Sequence, residues 1–178
     1  MNICLFGASS DNINECYFKE VEELGKMMAS RGHGMVFGGG ATGLMGAAAR
    51  GLTEAGGKSI GIAPRFFNEP GVLFQNCTEF IFTETMRERK QNMEDLSDAF
   101  IIVPGGIGTF EEFFEILTLK QLGRHNKPIA IFNINHYYDD IENIIKKAAN
   151  EGFLNEIHLD IFKISDNAKE LLDYIEGK

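Results

Sequence analysis

Two short stretches carry residue types that could do chemistry. VPGGIGTFEEFFEI, residues 103–116, ends an apolar run on proline and glycines, then opens a helical pattern beside Thr109, Glu111 and Glu112. A helix that starts after so flexible a turn offers free amides and a partial positive charge, which suit an anion. A carboxylate beside that turn is a group that could move a proton or steady a developing cation. TMRERKQNM, residues 85–93, supplies the basic partner: Arg89 and Lys90 lie three and four residues after Met86 and edge the buried side of a helix. Thr85 caps this helix, Met86, Met93 and Leu96 mark its buried stripe, and Arg87 and Glu88 read as surface charge. A purely structural account covers part of the first stretch: Thr109 as N-cap with Glu112 three residues on makes a capping box. Phe110, Phe113, Phe114 and Leu117 would then face the core. That account leaves the run of Pro104 and three nearby glycines, Gly105, Gly106 and Gly108, without a purpose.

Two further glycine- or serine-rich turns, FGASS and FGGGATGLMG, follow the first and second apolar runs. The latter contains G-x-G-x-x-G at Gly38, Gly40 and Gly43, with Gly39 between them. A dinucleotide site also wants an acidic residue about 20 positions on to hold a ribose hydroxyl. The next strand instead ends IAPRFF, and the motif follows the second strand rather than the first. PGGIGT lacks the lysine of a nucleoside-triphosphate loop. His33, His125, His136 and His158 are scattered, and no cysteine pair has metal spacing. The expectation is a site without metal or cofactor.

The elements that must position these residues alternate along the chain. Strands are predicted at 2–6, 34–37, 59–63, 79–83, 99–103, 128–133 and 161–164. Helices are predicted at 14–31, 43–55, 86–96, 110–122, 137–150 and 168–176. The runs IIV and IAIF are apolar at every residue, the mark of parallel strands covered on both faces. This is an α/β pattern: a Rossmann-like, doubly wound parallel sheet with helices on both faces, one nucleotide-binding domain over residues 1–178. In such a sheet ligands bind at the carboxyl ends of the strands, where all three turns would converge. The loop PRFFNEPGVLFQN, residues 64–76, is too apolar for a solvated loop and reads as core, lid or subunit contact.

With 17 basic and 26 acidic residues the net charge is −9, which speaks against a nucleic-acid or anionic-membrane surface. No segment approaches the roughly 20 apolar residues of a membrane span. Three scattered cysteines, Cys4, Cys16 and Cys77, read as reduced thiols, and the N-terminus lacks a basic signal-peptide region, so a cytoplasmic protein is expected.

Taken together, GGGATGLMG, MRERKQNM and PGGIGTFEE, followed by EILTLKQLGRHNKPI, resemble the LOG ("lonely guy") family over nearly the whole chain. These are cytokinin-riboside-5′-monophosphate phosphoribohydrolases, often labelled lysine decarboxylases. The paired signature R-K-x-x-M and P-G-G-x-G-T-x-x-E is specific. The resemblance implies a homodimer that splits a nucleoside 5′-monophosphate, such as AMP or a cytokinin riboside monophosphate, into base and ribose 5-phosphate. It places the catalytic arginine on Arg89 and the catalytic glutamate on Glu112. Substrate contacts are expected from Gly39 and Gly43, from Met86 and Lys90, and from Gly105, Gly106, Ile107, Gly108, Thr109 and Glu111. A further substrate-site threonine falls on Thr118. The chain departs from the pattern at Arg87, where histidine is common, and at Gly71, which stands where the family has a loop glutamate, with Glu69 two residues away. Molybdenum-cofactor carriers look like the same fold and give the competing reading, a protein that binds a phosphorylated pterin without cleaving it. A true lysine decarboxylase needs a pyridoxal-type cofactor on a lysine, and no lysine sits in the glycine turns.

Overall fold

The computed structural model describes Met1–Lys178. Its strands are β1 (Asn2–Phe6), β2 (Gly34–Phe37), β3 (Ser59–Pro64), β4 (Glu79–Thr83), β5 (Ala99–Ile102), β6 (Ile129–Phe132) and β7 (Lys163–Ser165). Its helices are α1 (Glu15–Ser30), α2 (Gly43–Glu54), α3 (Met86–Asp95), α4 (Ile107–Gln121), α5 (Asp139–Asn150) and α6 (Ala168–Ile175). The strands form one sheet in the order β4-β3-β2-β1-β5-β6-β7, and every neighbouring pair is parallel. The chain winds outward from β1 to β4, then returns beside β1 and winds the other way. The reversal between β1 and β5 is the switch point where such sheets bind ligands.

The all-apolar strands divide their side chains between two layers. Ile3 and Leu5 of β1, with Ile101 of β5, pack under α1, α2 and α6. Cys4 and Phe6, with Phe100 and Ile102, pack under α3, α4 and α5. Because alternate residues point to opposite faces, a sheet covered on both sides needs no polar positions. The Rossmann-like, doubly wound α/β expectation therefore holds. Helix α1 meets α2 backbone to backbone: a methyl group at Gly25 would lie 2.3 Å from the carbonyl oxygen of Ala48.

Three expectations are corrected. The last strand starts at Lys163, not 161, because Phe162 packs its ring 5.9 Å from Phe113 on α4 rather than joining the sheet. Phe114, expected in the core, is 39% exposed. On α3 only Met93 of the three stripe residues is buried, while Met86 and Leu96 are exposed. The loop at 64–76 divides its apolar residues. Leu73 and Phe74 are buried, with Ala41 N bonding Val72 O at 2.9 Å and Phe74 N bonding Gly39 O at 2.8 Å, so the loop lies on the second glycine turn. Phe66 and Phe67 face solvent. No helix is long and apolar enough to cross a membrane.

Candidate active site

Helix α3 begins with a complete capping box. Thr85 Oγ1 accepts from Glu88 N at 3.1 Å, and Glu88 Oε2 accepts from Thr85 N at 3.3 Å. Glu88, read from the sequence as surface charge, therefore fixes the first turn. That turn aims Arg89 over the strand ends. Its Nε donates to Ile62 O at 3.2 Å, and its Nη1 donates to Glu112 Oε1 at 2.9 Å. Both side chains are nearly enclosed, at 9% and 12% exposure. The guanidinium passes against Gly38, where a methyl group would lie 2.2 Å from Nη2. The first glycine of the GGG run is thus the space the arginine occupies.

The other glycines of that turn serve the chain itself. Gly43, at φ +64°, packs on the backbone of Ala8 and Ser9, and its amide donates to Asp11 Oδ1 at 2.7 Å. Gly39 sits under the Phe80 ring. The start of α2 therefore already holds a carboxylate of the same chain.

The start of α4 is different. It begins at Ile107 with Gly106 as N-cap and no side-chain cap bond, so the expected capping box of Thr109 and Glu112 is corrected. Pro104 and the glycines let the chain enter the helix before Thr109, which is buried one turn inside with its hydroxyl beneath Gly105. Glu112 is left to meet Arg89. The first intrahelical backbone bond is Phe110 N to Gly106 O, so the amides of Ile107, Gly108 and Thr109 form a cap without a partner side chain. Nothing stands within 4 Å of where a side chain on Gly106 or Gly108 would start.

Three bonds hold this turn in place. Ala8 N donates to Pro104 O at 3.0 Å, Tyr137 Oη to Gly105 O at 2.6 Å, and Tyr138 Oη to Val103 O at 2.9 Å. Leu44 N donates to Ala8 O at 2.9 Å, which joins all three turns at one end of the sheet. The two tyrosines are site-supporting residues that the sequence reading did not single out. Their pairing with a turn more than thirty residues away leaves no local signal.

Glu112 opens onto a cavity of about 650 Å³ between α3 and α4. Burial pushes its carboxyl above the ordinary range, and the charge and hydrogen bond of Arg89 oppose that rise. A raised, enclosed carboxylate next to a fixed cation suits proton transfer or electrostatic stabilisation. Lys90 is not free to meet a ligand in this structure. It bonds to Glu111 and to Glu115, the latter at 2.7 Å. Burial works against its charge, but the two carboxylates more than offset this and hold its pKa above the usual value. Arg87, read as surface charge, lines the cavity. Thr118 lies on another face of α4, in an apolar groove of about 280 Å³ with Phe114, Ile144 and Phe153. The structure thus brings together Arg89, Glu112, Thr109 and the glycine turn, and leaves Thr118 apart.

A protein-family model described as "Possible lysine decarboxylase" matches residues 45–175. Cytokinin riboside 5′-monophosphate phosphoribohydrolase LOG5 of Arabidopsis thaliana is 38% identical over 175 residues, covering 98% of this chain and 77% of its own. LOG2 of the same plant, with the same activity in its name, is 36% identical over 174 residues, covering 98% and 82%. Among solved structures, the Moco carrier protein of Chlamydomonas reinhardtii superposes with a TM-score of 0.74 at 21% identity, over 99% of this chain and 95% of its own. At that identity the likeness is one of fold.

Proposed function

The chain belongs to the LOG family of phosphoribohydrolases, and from that premise we propose that it hydrolyses the N-glycosidic bond of a nucleoside 5′-monophosphate, AMP or a cytokinin riboside 5′-monophosphate. The products are a free base and ribose 5-phosphate. The observation that carries the reading is the enclosed Arg89–Glu112 pair, 2.9 Å apart, between an uncapped helix start and a cavity of nucleotide size.

The 5′-phosphate rests on the amides of Ile107, Gly108 and Thr109, where aligned peptide dipoles favour an anion. Departure of the base leaves positive charge on the ribose, as in other glycosidic cleavages. Ionised Glu112 faces that charge and orients, or deprotonates, the attacking water. Arg89 holds the sugar near the scissile bond through charge-assisted hydrogen bonds and keeps Glu112 in place. Water supplies the hydroxyl at C1′, and its proton leaves with the base.

A carrier of a phosphorylated pterin would have the same fold but no use for an enclosed Arg–Glu pair beside the phosphate site. A pyridoxal enzyme would need an accessible lysine, and Lys90, the lysine lining the cavity, is bound to two carboxylates. We read the protein as cytoplasmic, in keeping with three unpaired cysteines, and as a homodimer, in keeping with the apolar face around Thr118.

The test is release of ribose 5-phosphate from AMP and from isopentenyladenosine 5′-monophosphate. Glu112→Gln and Arg89→Ala should each lower kcat by about 100-fold or more. Wild-type rates in both variants would remove the assignment.

A further inference from the structure

The cavity extends beyond Glu112 in one direction. From the open start of α4 to Glu112 is about one helical turn, ~6 Å along the axis. Glu115, Ile116 and Leu119 line it along α4, and beyond Glu112 it runs to Phe82, Thr83, Glu84 and Arg87, at the end of β4 and the start of α3. A nucleoside monophosphate runs in the same order: phosphate, ribose, base. With phosphate on the α4 amides and C1′ at Glu112, the base falls across the cavity from α4, toward the end of β4 and the start of α3, where Phe82, Glu84 and Arg87 line it.

Charge supports that direction. The cavity wall carries five carboxylates, Glu84, Glu88, Glu94, Glu112 and Glu115, against two cations, Arg87 and Lys90. A phosphate placed there would be repelled, whereas a neutral base carrying N–H groups would not. Phe6 and Phe82 supply apolar lining for the ring faces. Of the two cations, Lys90 is held by Glu111 and Glu115, while Arg87 bonds to no side chain. Glu84 lines the same cavity, uses Oε1 to accept from Arg65 Nε at 2.7 Å, and has no bond within the chain at Oε2.

We propose that Arg87 and Glu84 contact the base and determine specificity, Arg87 donating to a ring nitrogen and Glu84 accepting from an exocyclic amine. The proposal rests on the phosphoribohydrolase reading. A donor beside an acceptor matches adenine, which presents N7 as acceptor next to the N6 amine as donor. A 6-oxo purine such as hypoxanthine or guanine places an acceptor where the amine would be, and a carboxylate facing it leaves both without a proton to share. An N6-substituted adenine keeps one N–H and remains acceptable. The pair thus selects 6-amino over 6-oxo purine nucleotides.

The experiment compares AMP and IMP, by kcat/KM for ribose 5-phosphate release and by titration calorimetry for binding, in wild type, Arg87→Met and Glu84→Gln. Wild type should favour AMP by about 10- to 100-fold. Arg87→Met should weaken AMP about tenfold, chiefly through KM and Kd, and narrow the preference. Glu84→Gln, whose amide can turn to donate to O6, should bring AMP and IMP within about threefold of each other. An AMP-to-IMP ratio that stays at the wild-type value in both variants, in binding or in turnover, overturns the assignment. If no nucleotide is cleaved, the hydrolase reading fails by itself, and the binding ratios still decide the roles of Arg87 and Glu84.

Discussion

At the scale of single residues the proposed chemistry turns on Glu112, and its environment makes its titration testable. Burial raises its pKa above the ordinary 4.5, and Arg89 opposes the rise. The ionised form is the one proposed to act. Activity should therefore fall on acidification through a pKa above 4.5, and Arg89→Met should move that limb to still higher pH. The sign for stability is the reverse. A carboxyl with a raised folded-state pKa contributes its stability below the unfolded value and loses it as pH rises. The loss of rate on the acid side should then occur with circular dichroism unchanged. A limb at the ordinary carboxylate pKa, unmoved by Arg89→Met, would mean that another group titrates. That Arg89 and Glu112 meet was legible through the resemblance of their two motifs to one family, whereas spacing alone also allowed Glu112 a use in a capping box. The commitment of Lys90 to Glu111 and Glu115 was not legible, because those partners lie on another helix more than twenty residues away.

Among the elements, the strands were the most readable and the start of α4 the least. Six strands fall within a residue of their expected bounds because a strand buried on both faces must be apolar throughout, and few loops are. Helix α4 starts before Thr109 because its cap is a glycine backbone, while the threonine and glutamate that mimic a capping box are used inside the helix. This bears on Gly108. It lies in the first turn of α4, has no positive φ, and has nothing within 4 Å of where a side chain would start. Packing alone would accept alanine there, and the gain in helix propensity should stabilise the fold by about 0.5–1 kcal/mol in urea unfolding. If the amide at 108 must let a phosphate approach closely, Gly108→Ala should also lower kcat/KM by about tenfold or more. Added stability with full activity would remove the phosphate from this turn.

At the scale of the whole molecule, the sheet and its two helical layers bury their own core, yet one face stays apolar. Phe153 is 87% exposed, Ile157 72%, Ile144 54% and Phe114 39%, and three of these four line the groove beside Thr118. Contiguous exposed apolar residues of this size mark interaction surfaces. Self-association through this face would cover it, and its apolar area must outweigh the repulsion between two chains of net charge −9. The location of Thr118 points the same way. It cannot reach the cavity that Glu112 faces along its own helix, so a threonine in the substrate site would have to come from a second copy. The chain should sediment as a dimer at micromolar concentration, and Phe153→Asp should shift it to monomer. At 87% exposure this side chain packs little within its own chain, so the monomer's unfolding free energy should change by no more than about 0.5 kcal/mol. If Thr118 serves the partner's site, activity will fall in step with dimer loss as the variant is diluted. A monomeric variant with wild-type turnover would confine the whole site to one chain.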